Sequence, residues 1–217
     1  MIATLVGATG LIGSYLFEEL LNDTYFDTVR ILIRRPIDIT HAKLEKKLVN
    51  FNDSDSVLVA LSNSDVVFCA IGSTMKKVKG DKDAYRKIDF EIPVNLGRFC
   101  KMTGCEKFIL VSSAGANSKS MNFYQRLKGE TDEAVKEAGP KTIHIMRPSL
   151  LLGERKEFRL GENIGKAFMT TVSFLIPEKY KAIQGKDVAK VMVALAKKNE
   201  EGFFIHDNKE IRELAKK

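Results

Sequence analysis

Tyr124 and Lys128 stand four residues apart in the stretch "YQRLK". On a helix that spacing puts both side chains on one face. An unperturbed tyrosine, with a pKa of about 10, is a poor acid or base near neutrality. A lysine ammonium beside it favours the phenolate and brings the phenol into use as a proton donor. Upstream, in "VSSAGA", Ser112 and Ser113 close an apolar run. A hydroxyl at such a strand end can hydrogen-bond a carbonyl oxygen on which negative charge grows. These residue types suit protonation of a carbonyl oxygen while its carbon accepts a hydride. A half-buried tyrosine with a surface lysine one turn away gives the same spacing by chance. The weight therefore falls on the elements that would position these side chains.

The first of those elements is a turn. In "IATLVGATGLIGSYL" an apolar strand pattern runs into Gly7, Gly10 and Gly13 and then into a helix pattern. The spacing is a variant of the common G-x-G-x-x-G dinucleotide fingerprint, and its physical demands are similar. One glycine permits the tight turn, another lets backbone N–H groups approach a pyrophosphate, and Gly13 lets the helix pack closely on the sheet. The helix N-terminus then presents unpaired N–H groups and a positive dipole end to the anion. The second strand ends in "ILIRRP". Sites for NAD usually place Asp or Glu there to hold the ribose 2′-hydroxyl. Arg34 and Arg35 stand there instead, and a guanidinium suits a 2′-phosphate. The expected cofactor is NADP rather than NAD. The fourth strand, "SDVVFCAIGST", ends in small residues along which a ligand can lie. Ala70, Ile71 and Gly72 become candidate neighbours of the cofactor, because such sheets bind ligands at the carboxyl ends of their strands.

The rest of the chain repeats this rhythm. "IATLV", "TVRILI", "KKLVNF", "DVVFCAI", "KFILVSS", "TIHIMR" and "GFFIH" read as strands, and 11–22, 54–62, 86–103, 121–138 and 187–198 as helices. The alternation predicts an α/β fold, a doubly wound parallel sheet of about seven strands with helices on both faces. Several strands are near-continuous apolar runs, as strands buried on both sides should be. The stretch 150–184 breaks the rhythm and reads as a small C-terminal substrate lobe, with one short helix near 162–174. Phe158, Phe168, Phe174 and Leu175 would give it an apolar pocket, with Arg155 and Arg159 available to an acidic group.

Composition narrows the function classes. Of 217 residues, 44% are hydrophobic and 29% charged, ordinary values for a globular protein. The longest apolar runs are too short for a membrane span. Ile2 already belongs to the first strand, which leaves no room for a secretory signal. Cys69, Cys100 and Cys105 are odd in number and lack metal-ligand spacing, so reduced thiols are expected and no metal. The expected location is cytoplasmic. The net charge of +7 is partly local, because "MKKVKGDKDAYRK" holds six basic and two acidic residues. Without any nucleic-acid-binding signature, that stretch reads as a solvated loop or as a mouth attracting phosphorylated ligands, not as a nucleic-acid surface. "IGKAFMTTVSFLIPEKYK" has the spacing of an interfacial helix. It has equally that of a helix covering a pocket, and no stable membrane insertion is expected.

"GATGLIG", "VSSAGA", "YQRLK" and "RPSLLLGERKEFRLGE" together resemble the short-chain dehydrogenase/reductase superfamily. "FCAIGST" and the last of these bring the resemblance nearest to its atypical branch, typified by the HIV-Tat-interacting protein oxidoreductases. The resemblance implies one NADPH-binding Rossmann domain over 1–217, with 150–184 as an insertion covering the substrate. It implies that Gly7, Thr9, Gly10, Leu11, Ile12 and Gly13 hold the pyrophosphate and that Arg34 holds the 2′-phosphate. Ile71 and Gly72 would lie along the cofactor. Tyr124 would donate the proton, Lys128 would hold the nicotinamide ribose, and Pro148, Leu151 and Arg159 would close the nicotinamide side. For the serine, the superfamily's usual place at the last strand hydroxyl favours Ser113, whereas the spacing to Tyr124 favours Ser112. Adjacent strand residues point to opposite faces, so one of the two faces the substrate. The expected function is an NADPH-dependent oxidoreductase acting on a small carbonyl or related molecule. The alternative is an NADPH-binding regulatory or assembly protein with little turnover. Monomer and homodimer are both open.

Overall fold

A computed structural model describes residues 1–153 and 177–216. Its strands are β1 (Ile2–Val6), β2 (Thr28–Ile33), β3 (Leu44–Leu48), β4 (Val66–Cys69), β5 (Lys107–Val111) and β6 (Thr142–Arg147), then the short β7 (Leu151–Leu152) and β8 (Ile183–Gln184), and finally β9 (Gly202–Asp207). Seven of them form one sheet in the order β3-β2-β1-β4-β5-β6-β9, every pair parallel. Strands β7 and β8 pair with each other. Parallel neighbours need crossovers, which here are mostly helical. The helices are α1 (Leu11–Asn22), α2 (Ser54–Leu61), α3 (Lys82–Arg86), α4 (Ile92–Met102), α5 (Phe123–Ala138) and α6 (Gly185–Ala196), with α7 (Asn208–Leu214) after the last strand.

Both faces of the sheet are covered. Side chains alternate across each strand. Leu5, Ile31, Phe68, Ile109 and Met146 thus join one core with Leu16 and Leu20 of α1 and Val188 and Met192 of α6. Val6, Leu32, Val67, Leu110 and Ile145 join the other with Leu61 of α2, Leu96 of α4 and Val135 of α5. Fully burying one such side chain contributes about 1.5–3 kcal/mol. The two cores hold the central strands flat between helices. Their carboxyl ends are left free to carry a site at the β1/β4 boundary, where the winding reverses.

Several boundaries differ from the expected ones, each for a local reason. The third strand is Leu44–Leu48, not 46–51, because Asn50 accepts from Asn52 N and Asp53 caps α2 through Asp55 N and Ser56 N. The expected helix 86–103 begins at Lys82, where Asp81 caps the N–H groups of Asp83 and Ala84. It is then interrupted by a π-helical turn, Lys87–Glu91. Pro93 explains that turn: a helical proline has no N–H to give the carbonyl four residues back, and its ring clashes with it. The carbonyl in question is that of Asp89, and it accepts instead from Thr131 Oγ1 on α5 at 3.1 Å. Helix α7 was not anticipated, although Asp207 and Glu210 have capping-box spacing and Asp207 accepts from Glu210 N at 2.9 Å. Of the lobe expected at 150–184, the described parts are the β7/β8 ladder and a single turn at Glu178–Tyr180. The helix expected near 162–174 lies outside the described residues. Among the described residues no helix is long and apolar enough to cross a membrane.

Candidate functional site

The glycine turn joins β1 to α1 at the middle of the sheet. Gly7 has φ +94°, which favours glycine, and a Cβ there would lie 2.7 Å from the Ala70 carbonyl carbon. A Cβ on Gly13 would lie 2.0 Å from the Gly7 oxygen. Both glycines are therefore sterically required by close backbone approach. Gly10 N donates to the Gly7 carbonyl at 2.9 Å and closes the turn. Gly10 also caps α1, and among the described residues no side chain caps the first N–H groups of that helix. Those N–H groups and the dipole end remain presented to an anion. Thr9 and Gly10 are exposed, Leu11 is half-buried, and Ile12 anchors the helix in the core.

Three strand ends meet this turn or flank it. Arg34 and Arg35 follow β2 directly and both are exposed. Ala70 extends β4 by donating to the Val6 carbonyl at 2.9 Å, and Ile71 and the exposed Gly72 follow it. Beyond β6, Pro148 accepts from Ala114 N at 2.9 Å, which ties the loop after Ser113 to that strand end. Leu151 pairs with Ile183 in the small ladder. A Cβ on Gly153 would lie 2.8 Å from Leu11 Cδ1, so this segment lies against the start of α1. Arg159, Arg155, Phe158, Phe168, Phe174 and Leu175 lie outside the described residues.

On the other side of β4, helix α5 carries Tyr124 and Lys128. Asn122 starts the helix by accepting from Gln125 N at 3.1 Å, which puts Tyr124 in the first turn and 40% exposed. Its ring meets Tyr85 edge-on at 6.4 Å. One turn deeper, Lys128 is buried and its Nζ lies 2.9 Å from Asp89 Oδ1. Burial opposes the ammonium, but the Asp89 carboxylate and the Tyr124 phenol outweigh it and raise the Lys128 pKa above its usual value. Lys128 is a fixed cation at neutral pH, facing Tyr124 along the helix.

The two serines part company at the end of β5. Ser112 continues the ladder, its N–H donating to the Met146 carbonyl at 2.7 Å, and its side chain is buried. It lies beside the carboxylate of Asp132 on α5, but neither Ser112 Oγ nor Asp132 Oδ1 has a hydrogen-bond partner among the described residues. The other Asp132 oxygen takes Arg147 Nη2 at 2.8 Å. Burial holds the Asp132 pKa above its usual value against both partners. Ser113 is half-buried and makes a local 3.3 Å contact to the Ala114 carbonyl.

Asp89 was missed in the sequence. It sat inside a segment read as one continuous helix, and Pro93, four residues on, was the available sign that this helix is interrupted. Asp132 and Arg147, which pair with each other behind Ser112, carried no motif. The three cysteines are buried and free, and burial pushes the Cys69 thiol up to about 12, so it is inert.

Comparison with known proteins gives a consistent result. A family model described as NAD(P)H-binding matches residues 7–199. Protein FMP52, mitochondrial, of Candida albicans is 31% identical over 204 residues, spanning 91% of this chain and 89% of that one. Protein HTATIP2 of Rattus norvegicus is 30% identical over 167 residues, spanning 76% and 68%. Among solved structures, MoeE5 in complex with UDP-glucose and NAD superposes with a TM-score of 0.74 at 16% identity, covering 99% of this chain and 81% of that one. At that identity the likeness is one of fold. The expectation of a cytoplasmic protein is corrected by the relatives: those from Candida albicans and Debaryomyces hansenii, the latter 34% identical over 206 residues, are named as mitochondrial.

Proposed function

The chain belongs to the NAD(P)H-binding family, with relatives of the atypical short-chain dehydrogenase/reductase type, and on that premise we propose that it is an NADPH-dependent oxidoreductase acting on a small carbonyl or activated double bond. The observation that carries the reading is the buried Lys128 cation one turn below the exposed Tyr124, on the helix that flanks the carboxyl ends of β4 and β5.

The residues present fit such a cofactor. The turn is held tight at Gly7 and Gly13, where a Cβ would strike neighbouring backbone, and the start of α1, capped by Gly10 without a side-chain hydrogen bond, offers N–H groups to a pyrophosphate. Thr9, Leu11 and Ile12 would shape that cradle. Arg34, with Arg35 beside it, would take the 2′-phosphate through its planar fork. Ala70, Ile71 and Gly72 would lie along the ligand, and Pro148 and Leu151 would close the nicotinamide side. Arg159 is proposed for the same wall from sequence alone.

The chemistry supplied by NADPH when bound is a hydride. Tyr124 would give its proton to the substrate oxygen, with Lys128 favouring the negative charge left on the phenol oxygen. Ser113 would hydrogen-bond the same substrate oxygen, because it is half-buried whereas Ser112 is buried beside Asp132.

Titration of the purified protein with NADPH and NADH tests the cofactor. NADPH should bind more tightly, and Arg34→Ala should erase the difference; equal affinity in the wild type would refute the 2′-phosphate role. A screen of small carbonyl compounds tests the reaction. Tyr124→Phe should keep NADPH affinity within about twofold and lose turnover by roughly a hundredfold to ten-thousandfold, the usual worth of a positioned acid. Tight NADPH binding with no turnover across the screen would point instead to a binding protein.

A further inference from the structure

The stretch from Met75 to Lys87 follows the carboxyl end of β4 and carries six basic residues against two acidic ones. Its path is fixed. At its root, Ser73 donates its N–H to Asp89 Oδ2 at 2.7 Å, and its carbonyl accepts from Tyr85 OH at 3.3 Å. Further along, Val78 N donates to the Thr74 carbonyl at 3.2 Å, Gly80 N to the Met75 carbonyl at 2.9 Å and Lys79 N to the Lys76 carbonyl at 3.2 Å. Lys79 has φ +52°, in the left-handed region that favours glycine. A side chain held in that region by the bonds around it is the kind of strain that collects at ligand sites.

The charge on this fixed stretch is largely uncompensated. Asp81 is spent as the cap of α3, where it accepts from Asp83 N and Ala84 N, which leaves Asp83 as the other acid of the stretch. Glu130 takes Arg86 at 2.6 Å, and Asp89 takes Lys128 at 2.9 Å. Lys76, Lys79 and Lys82 are exposed, and among the described residues no carboxylate pairs with Lys76 or Lys79. Lys82 Nζ lies 5.5 Å from the centre of the Phe123 ring, next in sequence to Tyr124. Tyr85 meets Phe123 and Tyr124 edge-on, at 5.9 Å and 6.4 Å. The basic stretch therefore borders the crevice on the Tyr124 side. Like charges gathered on a fixed loop repel one another, and a bound anion relieves that repulsion.

We propose that this stretch receives an anionic group of the substrate, so that the molecules reduced are small carbonyl compounds bearing a carboxylate or a phosphate. This rests on the reading of the crevice as a site of NADPH-dependent reduction, and it names the class of molecule that site takes. With the carbonyl oxygen at Tyr124, the anionic end reaches past Phe123 to Lys82, and Lys76 and Lys79 add attraction from the loop. The phosphates of the cofactor are a different matter. The groups proposed for them, the glycine turn and Arg34, follow β1 and β2, whereas Lys82 lies against the start of α5.

The test varies charge at nearly constant shape. 4-Carboxybenzaldehyde is an anion, its methyl ester is neutral, and 4-(trimethylammonio)benzaldehyde is a cation. In the wild type kcat/KM should fall in that order, with the anion about tenfold or more ahead of the cation. Lys76→Gln, Lys79→Gln and Lys82→Gln combined remove the charge and keep most of the side-chain length. That variant should lose about tenfold in kcat/KM for the anion, through KM, and keep both the ester rate and NADPH affinity within about twofold. Raising the salt to about 1 M, where the Debye length is about 3 Å, should reproduce the loss in the wild type and change the variant little. If the variant fails to fold, the salt series on the wild type still decides. If none of the three aldehydes is turned over, the affinities of the corresponding benzyl alcohols for the NADP-loaded protein read the same order. Equal values for anion and cation in the wild type, or equal losses for all three compounds in the variant, would overturn the proposal. A loss of NADPH affinity in the variant would overturn it as well, by assigning the charge to the cofactor. Absence of NADPH binding by the wild type would overturn the cofactor reading itself, a separate and distinguishable failure.

Discussion

Two hydroxyls stand side by side at the end of β5 in different surroundings, and the proposed function gives them different work. Ser112 Oγ is buried against Asp132, whose carboxylate is already bound to Arg147. A serine side chain this deeply buried between β5 and α5 is part of the packing, and replacing it disturbs that packing. Ser113 is half-buried and makes only a local contact, so the proposed function assigns its hydroxyl to the substrate oxygen. Ser112→Ala should therefore lower the melting temperature and leave turnover per folded molecule within a few-fold. Ser113→Ala should do the reverse, keeping the melting temperature and losing turnover by about a hundredfold or more, as for other donors to a developing oxyanion. The checks are thermal unfolding and the rate with the best substrate of the carbonyl screen. A loss of turnover in Ser112→Ala at unchanged stability would exchange the two roles. Asp89 and Lys128 belong at this same scale, since what separates a fixed cation from a solvated lysine is one carboxylate.

The strand–turn–helix unit β1–α1 is the element on which the proposed cofactor binding rests. Its tightest approach is at Gly13, where a Cβ would meet the Gly7 oxygen at 2.0 Å, backbone against backbone. At Gly10 the same construction gives 3.3 Å, a contact a small shift relieves. Gly13→Ala should thus cost about 1–3 kcal/mol as overpacking and weaken NADPH at least tenfold, while Gly10→Ala should do clearly less to stability. Calorimetry and NADPH titration measure both; equal effects would mean that the turn yields more readily than its geometry indicates. This unit was also the most legible part of the sequence, because three glycines between an apolar strand and an amphipathic helix have few other uses. The seven strands and their parallel order were legible for the related reason that buried strands must be apolar on both faces, as in "VVFC". The π-helical turn was not legible. It follows from Pro93 acting on Asp89, and its rescue by Thr131 comes from a helix 42 residues away. The different surroundings of Ser112 and Ser113 were illegible for the same reason: Asp132, beside Ser112, is on another element, and no local spacing reports it.

At the scale of the whole molecule, the candidate site and a buried titrating histidine pair lie on different strands of the sheet. The glycine turn and Asp89 gather around β1, β4 and β5, whereas the buried histidines join β6 to the edge strand β9. His144 Nδ1 lies 3.0 Å from His206 Nε2, and His206 Nδ1 lies 2.8 Å from Glu210 Oε1 on α7. Phe204 stacks on His144, Glu200 lies 3.8 Å from its other nitrogen, and Lys198 and Lys107 add positive charge. Burial first, then His206, Lys198 and Lys107, depress the His144 pKa from 6.5 to about 4. The unfolded chain therefore takes up a proton at His144 before the folded one does, and stability must fall as the pH drops from 6.5 toward 4. By pH 5 the loss from this one group is on the order of 2 kcal/mol, or very roughly 4–8 °C for a chain of this size. Carboxylates lose stability in the same acidic range, so the check is a difference: unfolding of wild type and His144→Phe at pH 7 and pH 5. The variant keeps the stack on Phe204 and loses the titration, and its melting temperature should fall less between the two pH values. A parallel fall in both proteins would remove His144 as the cause. Because the pair ties down an edge strand far from the glycine turn, NADPH affinity per folded molecule should change little over the same interval. That separates acid sensitivity of the fold from any pH dependence arising at Tyr124 and Lys128.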